Sequence, residues 1–473
     1  HMRIKSLLKG NTLLNSAIWY TVGTFLLKGI NFFTTPIFTN LLSTEEFGII
    51  TIYSTWSAIF AIIVGLSMNG TIGSAKANLD DKEYNEYLSS TLFLGTISFA
   101  IICIVSLLFK NELANIFGLK SSLILILLFE SFFAFVINYV IAVFTFDRNH
   151  KAFLFTSAIS TIINVSASVL LILSMNNERY LGRIYGGAIA TIVIGVILYI
   201  KIILKGRTFI NIKYWRFALP IAIPLILHNL SHLVLNQADK IMLQKYTNDD
   251  IVGIYSYTYT IGALINTIQI ALNSAWMPWY FEKLKEKNSE EIKKVSAIYI
   301  GIFTVLTSMF ILGSPEIVKI LSPESYWSGI GLLPIIIAGY YFVFLYTFPS
   351  NFQFYMKKTN FIAMGTIVSA IINIIINYIF IKKIGMYAAA LSTLIAYIVL
   401  FAMHFIIVKF KFRHADFPFL YNLLGVFVII IISCIFYIFL NNMFVRWGVI
   451  FLIICVCAYL GLKYLKRNSI DKN

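Results

Sequence analysis

The chain has 473 residues, 59% of them hydrophobic and only 12% charged, with a formal net charge of +16. A mean hydropathy of +0.83 excludes a soluble globule. The basic residues are spread through alternate connections and form no single patch, which excludes nucleic acid as the partner.

Read from the start, His1 ahead of Met2 looks like an expression remnant, and Met2 to Gly10 forms a short basic arm without the features of a cleavable signal peptide. A membrane-spanning helix needs about 20 apolar residues. Fourteen stretches qualify: 12–40, 48–74, 88–109, 121–146, 152–174, 183–204, 216–245, 250–278, 294–318, 327–353, 358–381, 385–408, 418–440 and 446–465. Connections this short leave no room for a soluble catalytic domain, and the chain is expected not to be an enzyme. The connections on the side of the N-terminus hold 26 Lys and Arg, and those on the other side hold 9. Lys28 and Lys240 complete the total; Arg183, Arg216 and Arg446, each the first residue of its stretch, are counted with the connections, so no arginine is placed deeper inside a span. The asymmetry places both termini of a multi-pass protein in the cytoplasm and attracts anionic membrane lipids. Cys103, Cys434, Cys455 and Cys457 all lie in apolar runs and read as small hydrophobes, with no disulfide or metal expected.

The chain also repeats itself. LLSTEEFGIITIY at 41–53 resembles YTNDDIVGIYSYT at 246–258, aligning Gly48 with Gly253. STIINVSASV at 160–169 resembles SAIINIIINY at 369–378, aligning Asn164 with Asn373, and GGAIATIV at 186–193 resembles AAALSTLI at 388–395. Three collinear matches describe one duplication with an even number of spans per copy, so both copies face the same way across the membrane. The expected fold is an all-α integral membrane protein: two parallel six-helix lobes around a central cavity, plus two C-terminal helices. The lobes are placed at 1–210 and 211–412, and the added helices at 413–473.

An ionisable side chain at mid-bilayer costs about 2.5–3.5 kcal/mol on insertion scales, so each one calls for a reason. Thr21, Thr24, Lys28, Asn31 and Thr35 share one face of span one, a stripe suited to lining an aqueous path. His228, His232, Asn236, Asp239 and Lys240 form a corresponding stripe in span seven. The histidine pair has zinc-site spacing but no third ligand nearby, which favours a proton-responsive or sugar-bonding role over a metal. Asp239 and Lys240 are read either as a structural ion pair or as part of the site. Glu130, in span four, is open to three readings: a protonated core acid, a partner for Lys28, or an ion-coupling site, a role also open to Asp239. Tyr259 and Asn273 in span eight and Asn351 in span ten add further polar lining. Pro36, Pro220, Pro224, Pro278, Pro334 and Pro349 can bend the helices that carry them.

FFTTPIFTNLLSTEEFGIITIYS at 32–54 and QADKIMLQKYTNDDIVGIYSYTYTIG at 237–262 resemble the Wzx-type polysaccharide flippases of the multidrug/oligosaccharidyl-lipid/polysaccharide exporter superfamily. The resemblance extends over essentially all the spans. It implies a bacterial plasma-membrane protein that moves an undecaprenyl-pyrophosphate-linked oligosaccharide from the inner to the outer leaflet by alternating access. It also implies that Lys28, with Lys240 as second candidate, receives the pyrophosphate, and that spans thirteen and fourteen offer a groove for the prenyl tail. The absence of arginine from the expected spans departs from the related peptidoglycan-precursor flippases and points to a capsule or other surface-polysaccharide unit. No G-x-x-x-x-G-K-[ST] motif occurs, so no nucleotide cofactor is expected and a Na+ or H+ gradient or the membrane potential remains as the drive. A monomer is expected, associated with polysaccharide assembly proteins. The rival readings are a drug or solute exporter of the same superfamily and a membrane polysaccharide polymerase or ligase.

Overall fold

The structure, a computed structural model, describes residues 34–413 and 419–470, and all regular structure among them is helical. Eleven of these helices are long and apolar enough to cross a membrane. The long helices are α1 (Thr44–Val64), α2 (Asp81–Leu108), α3 (Ser121–Phe146), α4 (His150–Ser174), α5 (Arg179–Gly206), α6 (Ile212–Tyr246), α7 (Asp249–Gly262), α8 (Leu264–Lys285), α9 (Ser289–Leu321), α10 (Leu333–Tyr355), α11 (Thr359–Ile384), α12 (Met386–Ile406), α13 (Phe419–Ile438) and α14 (Met443–Ile470). The eighth expected span is broken into α7 and α8 at Ala263, and only residues 34–40 of the first expected span are described, as helix.

Caps set the boundaries that hydropathy misplaced. α1 starts at Thr44 because Ser43 and Glu46 form a reciprocal capping box, with Ser43 N–H donating to Glu46 Oε2 at 3.0 Å and Glu46 N–H to Ser43 Oγ at 3.2 Å. It stops at Val64, well before the expected 74, where Leu66 and Ser67 take positive φ angles of 50° and 52°. α2 starts at Asp81 because Asp80 accepts the Glu83 N–H at 2.8 Å. α5 starts at Arg179, four residues ahead of the expected span, which carries Arg183 one turn into the helix. The expectation of no arginine within the spans is therefore overturned, by Arg183 in α5 and by Arg446 in α14. Each is the first residue of its expected span, and the helices begin earlier, at Arg179 and Met443, so the choice of substrate draws no support from arginine content.

The chain divides into two compact units, His1–Gly253 and Ile254–Asn473. In the first, the most extensive packing is between α4 and α5. Small residues make it possible: a Cβ on Gly182 would fall 2.6 Å from the Ile172 amide nitrogen, and Gly186 faces the Ser168 backbone just as closely. Helices in lipid associate through such close approach, since burial from water offers no drive between them. Buried hydroxyls bridge the rest of the unit, with Tyr87 donating to Thr71 Oγ1 at 2.6 Å and Tyr139 Oη 2.7 Å from Thr91 Oγ1.

In the second unit, α12 packs on both α10 and α11 through buried Ala388, Ala389, Ser392 and Ala396. Aromatic side chains fill the remaining volume: Phe303 stacks on Phe344 at 4.1 Å, and Trp276 lies edge-on to Phe348 at 4.9 Å. Arg446, 1% exposed, ties α14 to α9 by donating to the Leu312 carbonyl at 3.2 Å and to the Glu316 carboxylate. In the last turn of α8, Lys283 bridges Glu286 and Glu291 at 2.8 and 3.0 Å, which pushes its ammonium up to about 12.

Substituting Gly182 with Ala should lower thermal stability in detergent by about 1–3 kcal/mol, because the added methyl meets backbone that cannot yield. Gly301→Ala, in α9 with nothing within 4 Å of the new Cβ, is the control and should leave stability unchanged or raise it by up to about 1 kcal/mol. Scanning fluorimetry of both variants checks the contrast.

Candidate functional site

Polar side chains converge on a cavity of about 430 Å³ inside the first unit. α1 supplies Ser54 and Ser57, with Ala58 and Ala61 continuing the same face at helical spacing. α3 supplies Glu130, Ala134 and Asn138 at successive steps of four. Ser67 and Asn69 enter from the turn after α1, and Asn229 from α6 donates to Ser67 Oγ at 3.2 Å. Small residues on α1 leave the volume open, and Phe135 closes one wall.

Glu130 is the only charged residue that lines this cavity among the described residues. The buried Tyr53 hydroxyl donates to its Oε2 at 2.6 Å. On its other side lies Arg183, whose Nη1 donates to Asn164 Oδ1 at 2.7 Å and to Ser168 Oγ at 2.8 Å. The guanidinium also sits over the Phe38 ring, 4.3 Å from its centroid. The two charges share the space left by Gly187: a Cβ there would lie 3.6 Å from Arg183 Nη1 and 3.8 Å from Glu130 Oε1. Opposite charges placed around a residue with no side chain stabilise each other where water is scarce.

The same place in the second copy is filled differently. Asn373 donates to Ser392 Oγ and Thr393 Oγ1, both at 3.2 Å, while Asn377 donates to Asn373 Oδ1 at 3.1 Å and accepts from Ser392 at 2.8 Å. Asn164 and Asn373, aligned by the repeat, thus each anchor a polar cluster between adjacent helices. One cluster carries a cation, and the other is built of amides and hydroxyls.

The residues singled out from the sequence are distributed as follows. Thr24, Lys28 and Asn31 lie outside the described residues. His228 and His232 are exposed and do not line the first unit's cavity, where Asn229 and Leu233 on the neighbouring face of α6 do. Asn236 Nδ2 donates to the His232 carbonyl at 2.7 Å. Asp239 is 2% exposed and accepts the Lys240 amide at 2.9 Å, and Lys240 is half-buried. In the second unit, Asn351 donates to Asn273 Oδ1 at 2.7 Å, and the Tyr259 ring lies 5.9 Å from that of Tyr340. Of those that are described, only Glu130 lines the first unit's polar cavity. Sequence reading missed Tyr53, Asn138, Arg183 and Asn229, although the fourfold steps from Glu130 to Asn138 were available as a signal.

Residues 13–284 match a family model described as polysaccharide biosynthesis protein. The chain belongs to that family. Residues 224–379 also match the MatE model. An uncharacterized membrane protein of Haemophilus influenzae is 23% identical over 382 residues, covering 76% of this chain and 88% of that protein. The fold is shared with the lipid II flippase MurJ in an inward closed conformation, at a TM-score of 0.75 and 17% identity over 95% of this chain and 99% of the other. An inward-facing multidrug resistance MATE family transporter of the MOP superfamily superposes at a TM-score of 0.66 and 15% identity, over 83% and 96%. This family member is a multi-pass membrane protein with the MOP-superfamily fold.

Arg183→Met should destabilise the protein, because Asn164, Ser168 and Glu130 lose their shared cationic partner; each buried polar group left unsatisfied costs about 1–3 kcal/mol. The double variant R183M/E130L removes the stranded charge and should recover part of the loss. A double-mutant cycle by thermal unfolding in detergent measures the coupling, and additive losses would contradict it.

Proposed function

We propose that this protein is a Wzx-type flippase that moves an undecaprenyl-pyrophosphate-linked oligosaccharide from the inner to the outer leaflet of a bacterial cytoplasmic membrane, for surface or capsular polysaccharide assembly. The observation that carries the reading is the family match across 13–284, and the likeness in fold to the lipid II flippase MurJ over nearly the whole chain supports it. The 26-to-9 distribution of Lys and Arg supports cytoplasmic termini.

The chemistry fits the task. A diphosphate headgroup cannot cross hydrocarbon unaided, so it needs a cationic, hydrogen-bonding path while its prenyl tail stays in lipid. Lys28 is the first candidate for the phosphate and Lys240 the second, with Asn31, Asn236, His228 and His232 along the same stripes. Arg183 is already engaged by Asn164 and Ser168 and faces Glu130, so it is a poor phosphate receptor. The cavity beside Glu130 offers hydroxyls and amides of the kind that bond sugars. The transport cycle is alternating access by a monomer that binds no cofactor. It is driven by the membrane potential, at about 2.3 kcal/mol per charge per 100 mV, or by Na+ or H+ coupled through Glu130 or Asp239.

The match of 224–379 to the MatE model favours one second reading, an exporter of drugs or small solutes. Proteoliposomes loaded with undecaprenyl-pyrophosphate oligosaccharide separate the two, using an external glycan-cleaving probe. Protein-dependent exposure of the glycan is expected, Lys28→Ala should abolish it without preventing insertion, and Lys240→Ala should weaken it more than Glu282→Ala. No exposure, with or without an imposed gradient or potential, would favour the exporter; equal effects of K240A and E282A would remove Lys240 from the site.

A further inference from the structure

Between Glu324 and Asp416 the chain carries no carboxylate side chain, yet it holds seven Lys and Arg. Five of them gather at one end of the second unit, and all five are exposed. Lys357 and Lys358 follow α10, while Lys409, Lys411 and Arg413 finish α12. The membrane-crossing segments end here, at Tyr355 and Lys411.

The backbone at this end is unusual. After Ile406, α12 continues as a π-helical turn, Ile407–Lys411, a rare geometry that gathers at functional sites. The turn runs into an alternation of cation and aromatic, Lys409 to Arg413. Lys411 Nζ lies 4.3 Å from the centroid of the Phe361 ring on α11. Phe412 meets Phe361 at 5.8 Å and Phe352 of α10 at 6.0 Å, which joins the three helix ends. Phe410 between the two lysines is 68% exposed, and Phe354, Met356 and Ile406 are exposed as well.

Two of the cations occupy positions that suit glycine. Lys357 has a φ of 56° and Arg413 a φ of 50°. The Lys357 and Lys358 amides close the end of α10 by donating to the carbonyls of Phe354 and Gln353, at 3.0 and 2.8 Å. That closure needs backbone alone, and glycine would make it without strain. A lysine and an arginine instead add like charge to a cluster that already repels itself. Elsewhere the cations at helix ends are neutralised: Lys76 pairs with Asp147 at 3.2 Å, Lys213 with Glu83 at 2.8 Å, and Lys283 with Glu286 and Glu291. Among the described residues no carboxylate pairs with Lys357, Lys358, Lys411 or Arg413.

We propose that this cluster is a binding site for the phosphate headgroup of an anionic phospholipid, with Phe354, Met356 and Phe410 alongside its acyl chains. A phosphate shared by the ends of α10 and α12 supplies the missing counter-charge. An acidic protein segment could supply it too, but cations interleaved with exposed apolar side chains, where the membrane-crossing segments end, suit a lipid. On the topology proposed above, that lipid lies in the inner leaflet.

The test reconstitutes the full-length protein in phosphatidylcholine nanodiscs with and without phosphatidylglycerol, and counts retained lipid by native mass spectrometry. The parent should retain phosphatidylglycerol, and K357Q/K358Q/K411Q/R413Q should weaken that retention about tenfold or more. K285Q/K287Q/K293Q/K294Q removes equal charge from the 282–294 connection and should change it less than about twofold. F361L keeps every charge but removes the ring beneath Lys411, and should weaken retention about threefold. K357G/R413G should also lower it, while its unfolding temperature in phosphatidylcholine alone stays level or rises, which shows that the variant folds. Equal losses in the two fourfold variants, or unchanged retention in the first, would overturn the site. Displacement of phosphatidylglycerol by equimolar undecaprenyl pyrophosphate would assign the cluster to the transported lipid and overturn the phospholipid reading. The count involves no transport, so it stands or falls apart from the flippase proposal.

Discussion

A polar group inside a bilayer has no water to turn to, so its partners must come from the chain itself. Much of the architecture described above follows from that constraint. Arg183 sits on α5, and the cost of placing it there is met by Asn164 and Ser168 on α4, the Phe38 ring, and Glu130 across the gap left by Gly187. Arg446 is handled the same way at the other end of the chain, with Leu312 and Glu316 of α9 as its acceptors. In each case the partner lies on a different helix, so satisfying the charge also fixes which helices are neighbours. A buried ion pair adds little net stability, but losing one member is expensive, and this favours one pairing over its alternatives.

Close approach is the second half of the same argument. Arg183 can reach Asn164 and Ser168 because Gly182 and Gly186 let α5 lie directly on α4. The repeat shows how a shared frame tolerates different fillings. Between α11 and α12 the approach is made by Ala388, Ala389 and Ser392, and the polar cluster is Asn373, Asn377, Ser392 and Thr393. The backbone relation has been kept while the charge has been kept in one copy only.

The all-helical, multi-pass fold was legible in the sequence, because long apolar runs separated by short polar connections leave few alternatives. The repeat in the sequence aligns Gly48 with Gly253 and Asn164 with Asn373. Helix ends were not legible, since hydropathy marks where a segment becomes apolar while a helix begins where its first amides are capped. Ser43 with Glu46, and Asp80 with Glu83, each start a helix several residues ahead of its apolar run. That error put Arg183 at the very edge of its expected span, where it was counted with a connection, and hid the group that faces Glu130. The candidate site was legible only in Glu130, because periodicity tells which residues share a face but not what that face meets. His228 and His232 share a stripe with Asn236, yet it is their neighbours Asn229 and Leu233 that line the cavity.

The engaged state of Arg183 also bears on how a flippase could work with so few cations in its spans. A receptor for a diphosphate must gain more from the ligand than from its resting partners, or the ligand will not displace them. An arginine with two short hydrogen bonds and a facing carboxylate has little left to offer, and freeing it would strand Glu130, Asn164 and Ser168 together. A lysine is a compact, strongly hydrated point charge on a flexible stem, better able to exchange water for phosphate and back again. On the flippase reading, Arg183 belongs to the frame that holds the first bundle together, and the mobile charge that meets the headgroup must be a lysine. A substrate that has to be released on the far side is better served by such a group than by one whose geometry is already complete.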